Sequence, residues 1–299
     1  MNAVCHRPVL LSETLQAIGP RSGCVYADAT LGQGGHTQAL LEASAPDGRV
    51  IALDRDATAL ESARRRLAVF GARALLVHAR FSQLERLLHE RGVSKLDGLV
   101  ADLGVSSDQL DRAERGFSFA RSGPLDMRMD QAQGKTAREL IEELPESELA
   151  DVLFALGQER RSRAIAASAK RAVRAGELST TEELRKAVVR VLGPARRGRV
   201  NPATRTFQAL RIAVNRELSE LDALLRLLPD VLHEGAVAVL ICFHSLEDRR
   251  VKQALRADPR LVPLFKKPLR ASREEQAHNP RARSARARAA RRVANGPAA

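Results

Sequence analysis

Cys24-Val25-Tyr26-Ala27-Asp28-Ala29-Thr30-Leu31-Gly32-Gln33-Gly34-Gly35-His36 reads as a short strand, Cys24 to Asp28, running into a glycine-rich turn. A helical stretch follows from about His36 to Ser44, and Val50 to Asp54 is the next strand. Ala57 to Phe70 places Leu60, Ala63, Leu67 and Phe70 at three-to-four spacing, which suits an amphipathic helix. Ala74 to His78 and Leu96 to Asp102 read as two further strands, with a helix over Ser82 to Arg91 between them. Strand and helix alternate, and the apolar runs are continuous. That predicts a parallel sheet covered by helices on both faces.

Beyond this α/β stretch the pattern changes. Thr136 to Leu144, Glu146 to Leu156, Arg161 to Ala175 and Thr180 to Leu192 read as helices, punctuated by Pro145, Gly157, Gly176, Gly193 and Pro194. A longer helical run covers Ala203 to Leu228, ended by Pro229. Ala236 to Phe243 is then apolar throughout and returns to the strand pattern, suited to the centre of the sheet. The expected organisation is one discontinuous domain, 1–109 with 213–290, interrupted by a helical insertion, 110–212. A disordered basic tail is expected over 291–299.

Charge narrows the partner. Lys and Arg number 49 against 36 Asp and Glu, a net +13 that favours a polyanion. Arg270 to Ala299 alone carries eight Arg and two Glu, an arm suited to phosphates. The longest apolar run has eight residues, far short of the roughly 20 of a spanning helix. No signal peptide is expected, because MNAVCHRPVL has no basic start followed by an apolar stretch. Three scattered cysteines, Cys5, Cys24 and Cys242, make neither a disulfide framework nor a zinc module and point to a reducing cytoplasm. No metal site is expected.

The chemistry gathers at strand ends. A glycine turn between strand and helix lets a ligand approach the backbone and the helix N–H groups. Asp54 ends the second strand 22 positions after Gly32, where a carboxylate can accept from ribose hydroxyls. The turn is G-x-G-G with Thr37 at the position of a third glycine, so the dinucleotide pattern is broken. S-adenosylmethionine carries no phosphate and tolerates a looser turn, which favours methyl transfer over hydride transfer. Asp102 ends the fourth strand and could hold the cofactor, orient an amine substrate, or simply cap a helix.

Eight ordered blocks carry a family resemblance. They are His6-Arg7-Pro8-Val9-Leu10, Gly32-Gln33-Gly34-Gly35-His36, Asp102-Leu103-Gly104-Val105-Ser106-Ser107, Arg115-Gly116-Phe117-Ser118-Phe119, Gly123-Pro124-Leu125-Asp126-Met127-Arg128-Met129, Arg205-Thr206-Phe207-Gln208-Ala209-Leu210-Arg211, Phe243-His244-Ser245-Leu246-Glu247-Asp248-Arg249 and Asn279-Pro280-Arg281-Ala282-Arg283-Ser284. Together they resemble the RsmH (MraW) family over nearly the whole chain. The resemblance implies a Rossmann-like class I methyltransferase sheet with a helical insertion domain. It implies methylation of a cytosine N4 in the decoding region of 16S rRNA, within the small ribosomal subunit, from S-adenosylmethionine. Gly34, Gly35, His36, Asp54, Phe81, Asp102 and Gln109 would then contact the cofactor, with Gly32 opening the turn. The family's final strand is more apolar than Ala285 to Arg292, which alternates Ala with Arg.

Other residues stay open between roles. His244 and Ser245, placed after a strand, could line the target-base pocket as catalytic residues or cap the next helix. With Asp248 they lie too close in sequence to converge as a hydrolase triad. Phe117 and Phe119 could stack an extruded base or anchor the insertion, and Arg199, Arg205 and Arg211 could hold phosphates or sit on a solvated face. The alternatives are methylation of another nucleic-acid amine, or a non-catalytic ribosome-assembly factor that binds RNA. The oligomeric state stays open, a homodimer being one option.

Overall fold

The computed structural model describes residues 8–195 and 201–294. The chain divides into two compact units, 1–104 with 218–299 and 105–217. The helical unit thus extends five residues beyond the expected 110–212 at each end. Its core explains the difference, since Val105, Leu110 and Val214 pack there.

The first unit contains α1 (Leu11–Ile18), β1 (Val25–Asp28), α2 (Gly35–Ala43), β2 (Arg49–Asp54), α3 (Ala57–Leu67), β3 (Ala74–His78), α4 (Leu84–Glu90) and β4 (Leu96–Asp102). The second contains α5 (Ser107–Asp111), α6 (Ala137–Glu143), α7 (Glu146–Gly157), α8 (Ser162–Arg174), α9 (Thr181–Leu192) and α10 (Thr204–Asn215). The chain returns to the first through α11 (Glu217–Val231), β5 (Leu232–Cys242), α12 (Ser245–Ala257), β6 (Leu261–Pro263), α13 (Arg273–His278) and β7 (Arg286–Arg292).

The strands form one sheet in the order β3-β2-β1-β4-β5-β7-β6. The first five are parallel, and β7 lies antiparallel between β5 and β6. Strand alternation sends Ile51 and Leu53 to one face with α4 and α11, and Val50 and Ala52 to the other with α2 and α3. Both faces are therefore apolar, which explains the continuous apolar runs. The order reverses between β1 and β4, and an open α/β sheet binds ligands at the carboxyl edge of such a switch point.

Two expectations need correction. The run from Ala203 to Leu228 is not one helix. Arg216 adopts left-handed geometry (φ 50°) and separates α10 from α11. Asn215 fixes that corner inside the helical unit, accepting from Met129 N at 2.8 Å and donating to Met127 O at 2.7 Å. Pro229 does not end α11 but lies in its last turn, its carbonyl accepting from Arg292 Nε at 2.9 Å.

The basic end is also more ordered than expected. Arg291 and Arg292, assigned to the tail, belong to β7, where Arg291 pairs with Val237 and Arg292 with Leu261. Small alanines pack on the sheet while the backbone completes the ladder, so little apolar bulk is needed. Residues 295–299 lie outside the described residues.

The helical unit has its own core, built from Ile141, Leu153, Ile165, Leu184, Phe207 and neighbours. Thr136 and Thr180 each start a helix with a reciprocal cap to Glu139 and Glu183.

Candidate active site

The carboxyl ends of β1, β2, β4 and β5 set out the site, and its side chains within the sheet unit can be read one by one. β1 ends in Asp28, buried to 1% exposure. Its Oδ1 accepts from Thr30 N at 3.0 Å, and its Oδ2 accepts from Thr37 Oγ1 at 2.7 Å. Burial nevertheless pushes this carboxyl above the usual range.

The glycine turn does three different things. Gly32 (φ 50°) donates its N–H to Asp54 Oδ2 at 2.8 Å, so the turn orients the carboxylate that ends β2. Gly34 (φ 79°) is the N-cap of α2 and offers no side chain to its N–H groups, which keeps those donors for a ligand. Gly35 is required by packing, because a Cβ there would lie 2.3 Å from Pro8 Cγ. His36 is buried, with Nε2 3.2 Å from Val9 O, and burial lowers its pKa to about 4. The imidazole is therefore neutral at pH 7, donating through Nε2 and holding the N-terminal segment against α2.

Asp54 also accepts from Asp56 N at 2.8 Å, and burial raises its pKa to about 6 despite both bonds. One bond per oxygen leaves acceptor capacity for hydroxyls. Phe81, in a short 3-10 turn after β3, is half-buried against the sheet core.

Asp102 ends β4. Its N–H donates to Thr30 Oγ1 at 2.6 Å, joining the first turn to the fourth strand. Its Oδ1 is buried and has no hydrogen-bond partner among the described residues. Burial raises its pKa to about 7, with Arg281 pulling down and Asp28 and Glu247 pushing up.

After β5, His244 is the N-cap of α12, its Nδ1 accepting from Glu247 N at 3.4 Å. Glu247 closes the reciprocal cap by accepting from His244 N and, at 2.8 Å, from Phe243 N. His244 thus caps α12 through Nδ1, while its Nε2 lies 3.1 Å from Glu247 Oε1. Ser245 is the exposed first residue of α12. Asp248 is tied to Arg286 and Arg288, and no triad geometry arises.

Gln109 lies in the helical unit, not the sheet unit. It is buried at the third position of α5, exchanging a reciprocal cap with Ser106. In the same unit Phe119 stands edge-to-face on Phe207 at 4.9 Å, and Phe117 is buried, so both anchor the core. Arg211 is held by Glu217 through two bonds of 2.8 and 2.9 Å, whereas Arg205 is exposed. Arg199, His6 and Arg7 lie outside the described residues.

A family model for MraW methylases matches residues 3–293. The chain belongs to the MraW methylase family. The chain is 57% identical over 288 residues to ribosomal RNA small subunit methyltransferase H of Sorangium cellulosum, covering 96% of this chain and 91% of that protein. It is 44% identical over 307 residues to the protein of the same name from Geobacter sp. strain M21, covering 96% and 98%. Among solved structures, an rRNA methylase from Streptococcus thermophilus covers 98% of the chain and all of its own length, with a TM-score of 0.46 and 12% identity. In this MraW methylase, sequence reasoning passed over Asp28, Thr30, Glu247 and Arg281. Asp28 closes a strand as Asp54 and Asp102 do, so a signal existed; the other three act through space.

Proposed function

We propose that the chain transfers a methyl group from S-adenosylmethionine to N4 of a cytidine in the decoding region of 16S rRNA, acting on the small ribosomal subunit in the cytoplasm. The carrying observation is Asp102, a strand-end carboxylate at the switch point whose buried Oδ1 has no partner among the described residues. The names of the relatives favour ribosomal RNA as substrate.

The residues fit the cofactor. Asp28, Asp54 and Asp102 bring three buried or half-buried carboxyls to one sheet edge in a chain of net charge +13. Burial holds each of them above the usual carboxylate range, and a sulfonium cation at this edge would favour their ionised forms. Asp54 accepts from the ribose hydroxyls, Phe81 lies beside the adenine, and the bare N–H groups of α2 receive the methionine carboxylate. When bound, S-adenosylmethionine supplies an electrophilic methyl activated by positive sulfur.

The substrate amine is a weak nucleophile, because its lone pair is delocalised into the pyrimidine ring. Asp102 accepts one of its N–H bonds, turning the lone pair out of conjugation and fixing the nitrogen for in-line attack; as the N–CH3 bond forms, the S–CH3 pair stays on sulfur and the nitrogen gives up one proton, to Asp102 or to water. Phe243, His244 and Ser245 lie at the end of β5 and border the base. The cytosine must leave its stack, at roughly a few kcal/mol, less in a distorted single strand. The helical unit and the basic arm hold the surrounding RNA.

The test is transfer from labelled S-adenosylmethionine to small subunits lacking the modification, to naked 16S rRNA and to DNA. N4-methylcytidine in the subunits is the expected product. Label confined to another nucleoside or to DNA overturns the substrate assignment, and no label in any of the three overturns the enzyme.

A further inference from the structure

Away from the strand ends, the sheet unit carries a groove of about 180 Å³ between α12 and the antiparallel strands. Lys252 and Arg256 line one wall from α12, Lys266 the other, and Arg288 enters from β7. The floor includes Leu255 and Ala289, and Phe265 stands at the rim, 41% exposed. Of these residues only Arg288 belongs to the arm from Arg270 to Ala299 that the sequence marks as suited to phosphates.

The charge here is not balanced within the fold. Residues 249–270 hold eight Lys and Arg and one acid, Asp258. That acid is bound by Arg260, and Asp248 on α12 is bound by Arg286 and Arg288. Lys252, Arg256 and Lys266 have no ion-pair partner among the described residues. Lys252 and Arg256 are four apart on one helix face, where like charges repel. Three uncompensated cations around a groove suit a chain of phosphates. The exposed ring at the rim suits a base, since stacking accepts any base face. Among the described residues Phe265 and Phe154 are the exposed rings, and Phe265 is the one that lines this groove.

We infer that this groove binds the sugar-phosphate backbone of a single-stranded RNA segment, with one base stacked on Phe265. Naming the polyanion as RNA rests on the proposed function; the binding itself does not depend on methyl transfer.

The test is fluorescence anisotropy of a short labelled single-stranded RNA over a salt series. The proteins are the full chain, the triple variant Lys252→Ala, Arg256→Ala, Lys266→Ala, and Phe265→Ala. All the altered side chains are exposed, and equal melting temperatures verify the fold. At about 0.7 per phosphate contact on a single strand, the slope of log affinity against log salt should fall by about 2 in the triple variant. Phe265→Ala should weaken binding roughly tenfold and leave the slope unchanged. An unaltered slope and affinity in the triple variant overturns the groove. Competition by poly-glutamate as effective as by unlabelled RNA overturns RNA as the occupant and favours an acidic protein segment. Wild-type methyl transfer, measured in parallel, separates the two readings: transfer with unaltered groove binding sinks only the groove, and groove binding without transfer sinks only the enzyme.

Discussion

Replacing Asp102 by Asn removes the titration while keeping the shape. Burial lifts the carboxyl from 3.8 to about 7. Below about pH 4 the acid is protonated in both the folded and the unfolded chain, so it contributes no pH dependence. Between about 4 and 7 the unfolded chain has lost the proton and the folded chain keeps it, so wild-type stability falls as pH rises. Above about pH 7 both forms are ionised and the cost is constant. At about 1.4 kcal/mol per pH unit the full cost is at most about 4 kcal/mol. The asparagine amide leaves an unsatisfied polar group in the same place, costing about 1–3 kcal/mol at every pH. Asp102→Asn is therefore expected to be less stable than wild type near pH 4 and equally or more stable near pH 8. Urea denaturation at intervals across this range reads the difference directly, and constant offsets do not affect its slope. A stability difference that stays flat from about pH 4 to 8 would refute the buried, uncompensated carboxyl. The same variant should lose methyl transfer, because the amide cannot replace the carboxylate as a charged acceptor; near-normal turnover would sink its role in orienting the amine.

His36 acts with the opposite sign. Its pKa is lowered from 6.5 to about 4, so the fold loses up to about 3 kcal/mol as pH falls through that window; His36→Gln, which can still donate to Val9 O, should remove this part of the acid profile, and an unchanged profile would count against the buried neutral ring. Gly35→Ala forces a methyl to within 2.3 Å of Pro8 Cγ and should destabilise by about 1–3 kcal/mol in thermal denaturation, whereas an unshifted melting temperature would show that the N-terminal segment yields freely. Preference for S-adenosylmethionine over S-adenosylhomocysteine, whose sulfur is neutral, should rise severalfold between about pH 6 and 8, as Asp54 and Asp102 ionise; calorimetric titration giving the same ratio at both ends would separate the carboxyl cluster from cofactor charge.

The sequence made legible those features whose cause is local. Buried parallel strands show as apolar runs, and their last residues can be numbered, so Asp54 and Asp102 are legible in the sequence. Arg216 was not, since a non-glycine residue in left-handed geometry leaves no compositional sign. Only the end of β7, Arg291 and Arg292, departs from expectation, because Ala and Arg carry little apolar signal; the strand is held by its ladder to β5 and by arginines that find Asp248 and the Pro229 carbonyl. Ser106-x-x-Gln109 does contain a local signal, the reciprocal cap, which the structure realises. The Thr30 hydroxyl and Arg281 could not be found from spacing. Thr30 meets Asp102 across 72 positions, and Arg281 reaches its field from the far end of the chain.

The two ligands of the proposed reaction have opposite charge, and the chain separates the groups that would meet them. Three acids, Asp28, Asp54 and Asp102, stand at the carboxyl edge of β1, β2 and β4, where burial amplifies each of them. Cations are spread over exposed surfaces such as the α12 groove, where solvent moderates their mutual repulsion. A uniformly basic protein would bind RNA and repel a sulfonium. A uniformly acidic pocket without that surface would hold the cofactor and repel the substrate. Arg281 stands between the two regimes: it lowers the pKa of Asp102 without pairing with its buried Oδ1, so the carboxyl stays near neutrality and free to accept. A pKa of about 7 then leaves Asp102 responsive to what binds, because an arriving cation favours the ionised form that can orient an amine.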